Sequence, residues 1–328
     1  MLKTKTEYGF EVELVADSKS NDDKRISTFV LTYPRFIHAE LMTHRLFTRN
    51  AMSSRAVPVD KMIDHIEKNI AMPVHWGKNQ PGMQAKEEHD EEVCIDLNWI
   101  LSGLHYKLPK VRAWEEAMRF AVSVARGFSD AGYHKQIVNR ILEPFQFIRV
   151  VVTATEWDNW YWLRDHADAQ PEIKHLAQEM LALHNESTPQ YLSHDSWHTP
   201  FYGSGFWTED KDGVDFFGVT LEDALKISSS CAAQASFRKA DESIEKARNI
   251  YQRLVESEPV HASPFEHQAT PVEYANIQDI AELKNEVGAT HIDIHGNVWS
   301  ANFMGWIQNR QLIKNNASWN YEGLNESK

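Results

Sequence analysis

The residues with most chemical capacity lie in one run: Thr43-His44-Arg45-Leu46-Phe47-Thr48-Arg49-Asn50-Ala51-Met52-Ser53-Ser54-Arg55. Guanidinium forks, serine hydroxyls and free backbone N–H groups at a helix end and its following loop are suited to a phosphate. The competing reading is a solvated helix end. His44 continues an apolar stripe with Ile37 and Leu41, so it also reads as a satisfied core histidine. Arg140 stands just ahead of a strand, and Arg164 opens a loop that leads into a helix. The plain role of these two arginines is pairing with Glu143, Asp165 and Asp168. A third segment, Ser263-Pro264-Phe265-Glu266-His267-Gln268, sets a glutamate beside a histidine, groups suited to proton transfer or hydrogen bonding.

These residues need a scaffold, and the patterning supplies one. Residues 8–15 and 26–33 are rich in β-branched and aromatic types and predict strands, and 145–155 is the best strand of all. Pro34 suits a helix start, so 35–47 reads as a helix and the aperiodic 50–59 as a loop. Over 111–126, Trp114, Ala117, Met118, Ala121, Val122 and Ala125 share one helical face. A further helix spans 172–183, with Ile173, Leu176, Ala177, Met180 and Leu181 inward. Residues 193–212 look like loop, and 241–255 like a helix capped by Asp241. The chain from Asn315 onward looks polar and frayed. Helices and strands without βαβ alternation predict an α+β fold.

Composition removes several classes. At 328 residues the chain can bury a large core, and 42% hydrophobic with 25% charged is ordinary for a globular protein. No apolar run reaches eighteen residues and the first residues lack an apolar segment, so neither a membrane span nor a secretory signal is expected. Two distant cysteines, Cys94 and Cys231, argue against a disulfide framework or thiolate metal site and for a cytoplasmic protein; no metal is expected. A net charge of −13 opposes nucleic-acid binding but leaves room for small anions where arginines cluster. Most of the eleven tryptophans should be core.

Taken together, the three segments resemble the flavin-dependent thymidylate synthases. The family signature is Arg-His-Arg, seven residues, then Ser, a small residue and Arg; here His44 and Arg45 are followed by Ser53, Ser54 and Arg55. Arg140 and Pro144 match the family's Arg four residues before a Pro. Leu163, Arg164, Ala169, Gln170, Glu172 and Ile173 reproduce its Leu-Arg-x4-Ala-Gln-x-Glu-Ile stretch, and Phe265-Glu266-His267 its Phe-Glu-His element. Two departures stand out. Thr43 occupies the place of the first signature Arg, for which Arg310 is a candidate substitute. Phe-Glu-His also comes after the signature rather than before it, preceded by a Cys231-Ala-Ala-Gln-Ala-Ser-Phe-Arg run that resembles the family's opening segment, as in a circular permutation. The resemblance covers roughly 26–56, 130–183 and 228–270, within one domain over 1–328; the stretches near 64–110 and 190–220 look like additions.

The resemblance implies an antiparallel-sheet core with packed helices and a homotetramer with active sites at subunit interfaces. It implies methylation of dUMP at C5, with FAD as cofactor and NADPH and 5,10-methylenetetrahydrofolate as co-substrates, and no cysteine nucleophile. On its motifs, Ser53, Ser54, Arg55 and Arg140 bind the dUMP phosphate, and Arg164 orients the uracil and acts in catalysis. His44, Arg45, Asn159, Glu266 and His267 contact FAD. The alternatives are an enzyme acting on another pyrimidine nucleotide such as dCMP, or a non-catalytic flavin- or nucleotide-binding homologue.

Overall fold

The computed structural model describes residues 2–235, 240–273 and 287–318. Its elements run β1 (Leu2–Lys5), β2 (Glu11–Ser20), β3 (Arg25–Pro34), α1 (His38–Met42), β4 (Thr48–Ala51), α2 (Val59–Lys68), β5 (Val93–Asp96), β6 (His105–Leu108), α3 (Lys110–Asp130), α4 (Lys135–Ile141) and β7 (Phe147–Ala154). Then follow α5 (Asp158–Arg164), α6 (Pro171–Glu186), β8 (Gln190–Leu192), β9 (Ser196–His198), β10 (Phe206–Thr208), α7 (Leu221–Ala233), α8 (Ile244–Val255) and β11 (Ala269–Pro271). The last are β12 (His291–Ile292), β13 (Val298–Ser300), β14 (Phe303–Met304) and β15 (Trp306–Gln308), and a 3-10 turn over Ser263–Glu266 carries the Glu-His pair. The fold is α+β, as its unalternating pattern predicts.

The main sheet runs β1-β2-β3-β7-β4, with β8 added in parallel on β2 and every other pairing antiparallel. Along β3 and β7 both faces are buried, which is why these strands read as unbroken β-branched runs. One face packs Phe29, Leu31, Ile148, Val150 and Val152 against Ile173, Leu176, Ala177 and Met180 of α6. The other face carries Val30 and Val151 together with the buried hydroxyls of Thr28 and Thr153. A second sheet, β10-β9-β11-β15, stands near that hydroxyl-bearing side. A separate cluster packs Val59, Met62, Ile63 and Ile66 of α2 against Met118, Val122 and Ala125 of α3.

Several expectations shift. The helix expected over 35–47 is a 3-10 turn, Arg35–Ile37, followed by the short α1. Arg49 ends it by donating to the carbonyls of Leu41, Met42 and His44, and Thr48–Ala51 then pairs with β7 instead of remaining loop. Arg164 closes α5 rather than opening a loop. Ser243 caps α8, and Asp241 accepts from Ser243 N two residues earlier. Residues 193–212 contain β9 and β10, whose Trp197 and Trp207 pack with α7 and α8. Residues 64–68 finish α2, and 190–220 supply buried His198 to the core. Ser236, Phe237 and Arg238 of the opening-like segment, and 319–328 of the polar end, lie outside the described residues.

Candidate functional site

The register of the main sheet decides where the arginines go. Pro34 pairs with Phe147 and Ala51 with Val150, so β3 and β4 leave the sheet, and β7 enters it, at the same end. Arg35 follows β3, Ser53-Ser54-Arg55 follow β4, and Arg140 lies just before β7. All five line one cavity of about 370 Å³ with His38, Met52 and Ile148. The loop after β4 is held by α4. Buried Asn139 donates to the carbonyls of Ser54 (2.7 Å) and Val57 (2.9 Å), and Lys135 donates to that of Ala56 (3.0 Å). Asn139→Ala should therefore cost roughly 1–3 kcal/mol, because a dry carbonyl loses its donor. A urea melt would show this, and an unchanged midpoint would count against the brace.

The electrostatics of this cavity suit an anion. Arg35 and Arg140 both reach Glu143 Oε1 at 2.9 Å, so the expected Arg140–Glu143 pair is present. Arg35 Nη1 is buried without a partner among the described residues, and the exposed Arg55 guanidinium has none there either. Three guanidinium groups against one carboxylate leave two positive charges in excess, matching a phosphate monoester dianion. His38 adds no charge near neutrality: burial, then Arg35 and Arg49, push it down to about 4. Arg35 and His38 were missed from sequence. An Arg just past a strand is visible there, but only the register shows that this strand end coincides with those of β4 and β7.

Arg164 sits elsewhere. Its Nε donates to His44 Nε2 (2.9 Å) and its Nη2 to Thr43 Oγ1 (3.0 Å), so it does not pair with Asp165 or Asp168. His44 is packed edge-on to Trp160 and over Phe47, and burial, then Arg164 and Arg49, lower its pKa to about 4. The neutral ring thus accepts the guanidinium proton and carries its own proton on Nδ1. The core-histidine reading of His44 holds, with the added task of orienting Arg164. This cluster precedes β4 while the arginine cavity follows it, so roughly 10 Å of strand separates them.

Of the remaining candidates, Arg45 and Asn159 are exposed. Glu266 is ion-paired with Arg310, which also donates to Asn316 O (3.1 Å). Arg310 therefore belongs with Glu266, and Thr43 takes up the signature position as an acceptor for Arg164. His267 is fully buried, bonded through Nδ1 to Thr153 Oγ1 at 2.8 Å, and its Nε2 has no partner among the described residues. Although Glu266 and His267 follow the signature by over two hundred residues, their turn packs against β4 and β7. Cys231 is buried, its thiol pushed up to about 12 by burial and then Glu242 and Asp241, which is not a nucleophile's setting. No cluster of three His, Cys, Asp or Glu among the described residues is arranged for a metal, and no helix there is long and apolar enough to cross a membrane.

Residues 25–190 match the family model described as thymidylate synthase complementing protein, and this is half the chain. The chain belongs to that family, the flavin-dependent thymidylate synthases. The matched stretch of this flavin-dependent thymidylate synthase family member holds the signature, Arg140 and Arg164, but not Phe265-Glu266-His267. Among solved structures, one that matches is a UMP/dUMP methylase, PolB from Streptomyces cacaoi, bound with 5-Br dUMP. It is 17% identical, with a TM-score of 0.39, over 56% of this chain and 93% of that one. No curated protein matches the chain.

Proposed function

We propose that the protein methylates dUMP at C5 to give dTMP, with FAD, methylenetetrahydrofolate and NADPH. The observation that carries this reading is the cavity where Arg35, Ser53, Ser54, Arg55 and Arg140 converge with two positive charges in excess. Arg55 and the Ser53 and Ser54 hydroxyls take the phosphate, with Arg140 and Arg35 as further donors. Arg164, aimed by His44 and Thr43, meets the uracil ring and stabilises the negative charge that builds when C5 becomes nucleophilic. Because β4 separates Arg164 from the phosphate cavity within one chain, the reading joins the cavity of one copy to the Arg164 cluster of another. The exposed Met42, Leu46, Trp162 and Leu163 flank Arg164 and Thr43 in sequence and suit such an interface, in keeping with the expected homotetramer.

Of the residues assigned to FAD, Arg45 and Asn159 are exposed, and His267 Nε2 is buried without a partner among the described residues. His44 and Glu266 are engaged by Arg164 and Arg310, so their contribution is to position those neighbours. His267 is fully buried, whereas the exposed donors of Arg45 and Asn159 suit a polyanionic cofactor. When bound it supplies hydride transfer, while the chain supplies placement and charge.

Arg55→Ala tests the assignment. Titrated with dUMP, it should bind roughly 2–4 kcal/mol more weakly than the parent, with flavin content unchanged. Equal nucleotide affinity would remove the phosphate site. Running dCMP beside dUMP separates thymidylate synthesis from action on the other pyrimidine.

A further inference from the structure

One imidazole, that of His38, lines the arginine cavity. Tyr33 holds it from behind. The two rings stack at 29° with centroids 6.1 Å apart, and the Tyr33 hydroxyl lies 2.8 Å from His38 Nδ1. The placement is local in origin. Tyr33 stands next to the end of β3, and the 3-10 turn Arg35–Ile37 folds the chain back so that His38, the first residue of α1, meets its ring. Tyr33 is fully buried in the main core with Ile37 and Leu41, and its partner across β7, Ile148, also lines the cavity. The imidazole therefore rests on a fixed, dry support.

The Tyr33 hydroxyl has one proton and, among the described residues, one hydrogen-bonding partner, His38 Nδ1. Burial, the largest cause, raises the phenol far above its ordinary range, so the proton stays on oxygen. Two arrangements of the pair are conceivable, and they are not equal. If the hydroxyl donates to a bare Nδ1, the bond is made and the imidazole proton sits on Nε2, the edge turned away from Tyr33. If Nδ1–H donates to the hydroxyl oxygen instead, the phenolic proton is left without an acceptor in a dry interior. That defect carries the penalty of an unmade buried hydrogen bond. A charged ring would share it, and burial, then Arg35 and Arg49, already hold His38 down at about 4. The first arrangement wins. Nε2 is an N–H, with no partner among the described residues.

We propose that His38 is a further substrate-binding residue, its Nε2–H donating to a phosphate oxygen, and that Tyr33 is the positioning residue that fixes this tautomer. The contact rests on the reading of the cavity as the phosphate site; the tautomer does not. His38 brings something the guanidinium groups lack. Arg35, Arg55 and Arg140 against Glu143 already match a dianion, so a fourth cation would overshoot. A neutral donor adds a hydrogen bond without adding charge. With no lone pair to offer, this nitrogen cannot accept from a P–OH group, so at its oxygen it takes the dianion and not the protonated monoester.

The test pairs two substitutions in the full-length protein. His38→Asn keeps an acceptor near the Nδ1 position for Tyr33 but is too short to reach the phosphate, whereas His38→Gln can set an amide N–H near the Nε2 position. Titrated with dUMP, His38→Asn should bind roughly 10-fold more weakly than the parent, and His38→Gln should recover part of that loss. Deoxyuridine, which lacks the phosphate, should bind all three alike. Parent-like dUMP affinity in His38→Asn while Arg55→Ala is weakened would overturn the proposal and leave the phosphate site in place. If neither variant is weakened, the reading of the cavity fails and this contact falls with it. 15N NMR of the parent labelled at histidine, with His38 assigned through either variant, reads the tautomer directly. Nδ1 should be bare and Nε2 protonated, and inorganic phosphate near neutral pH should move Nε2 more than Nδ1. Tyr33→Phe, which removes the donor, should bring in a share of the Nδ1–H form. A parent ring protonated at Nδ1, or an Nε2 signal indifferent to phosphate, would overturn the proposal independently of the affinities.

Discussion

Arg164→Ala should lower thymidylate formation by roughly 10²- to 10³-fold while flavin stays bound and the fold survives. The expectation follows from what Arg164 does and does not hold. Its two hydrogen bonds go to His44 and Thr43, both part of the turn before β4, and neither is an ion pair whose loss strands a buried charge. His44 keeps its packing on Trp160 and Phe47 after the truncation. Loss of activity therefore reports on a missing cation at the reacting ring rather than on collapse. Near-normal turnover, followed as dTMP by chromatography, would remove Arg164 from the mechanism. The same variant tests the geometry of assembly. If one site takes its phosphate cavity from one copy and Arg164 from another, co-expressed Arg55→Ala and Arg164→Ala chains form some sites with both arginines intact. Mixed assemblies should then regain turnover that neither variant shows alone. No recovery in verified mixed oligomers would confine the site to a single chain.

This separation of Arg164 from Arg55 marks the boundary of what the sequence made legible. Strands 26–33 and 145–155 were readable because a sheet buried on both faces writes itself as β-branched runs. The helices at 111–126 and 172–183 were readable from their apolar stripes. The 35–47 segment was not, because its outcome is decided by Arg49 capping the carbonyls of α1 and by the pairing of β4 with β7, neither of which has a local signal. Asp241 and Ser243 show the same limit on a smaller scale: both are good caps, and only the helix phase chooses between them. Ser53, Ser54, Arg55 and Arg140 were found through the resemblance to the family's motifs, and the register brings them to one cavity. Arg35, His38 and His198 could not be found that way. Their importance comes from which strand ends coincide and which sheet lies opposite, and both are long-range facts.

Acid should destabilise this protein early, and the reason is its unusual burden of neutral buried histidines. Burial is the leading cause in every case: His38, His44 and His184 are pushed down to about 4, and His198 and His267 to about 3. In the unfolded chain these rings titrate near the ordinary value of 6.5. Above that pH both states are neutral and the rings contribute no pH dependence. As pH falls from 6.5 toward 4, the unfolded chain takes up protons that the folded chain refuses, so the stability lent by neutral packing drains away. The sign is that of a depressed folded pKa: stability rises with pH across the window. Each ring contributes up to roughly 1.4 kcal/mol per pH unit, so even with His38 and His44 discounted for partial exposure the loss reaches about 5 kcal/mol between pH 6.5 and 4.5. Asp17, lowered by Arg25 and by hydrogen bonds that outweigh its burial, acts in the same direction at lower pH. Glu172 and Glu156, raised chiefly by burial, oppose it, since their folded forms hold protons more readily than the unfolded chain. Two such carboxyls against five imidazoles leave the histidines dominant above pH 5. A loss of that size rivals the whole stability of an ordinary domain. Urea midpoints taken at pH 7.5, 6 and 5 should fall steeply over the last step. A midpoint that stays level to pH 5 would mean the buried rings find proton acceptors in the folded state.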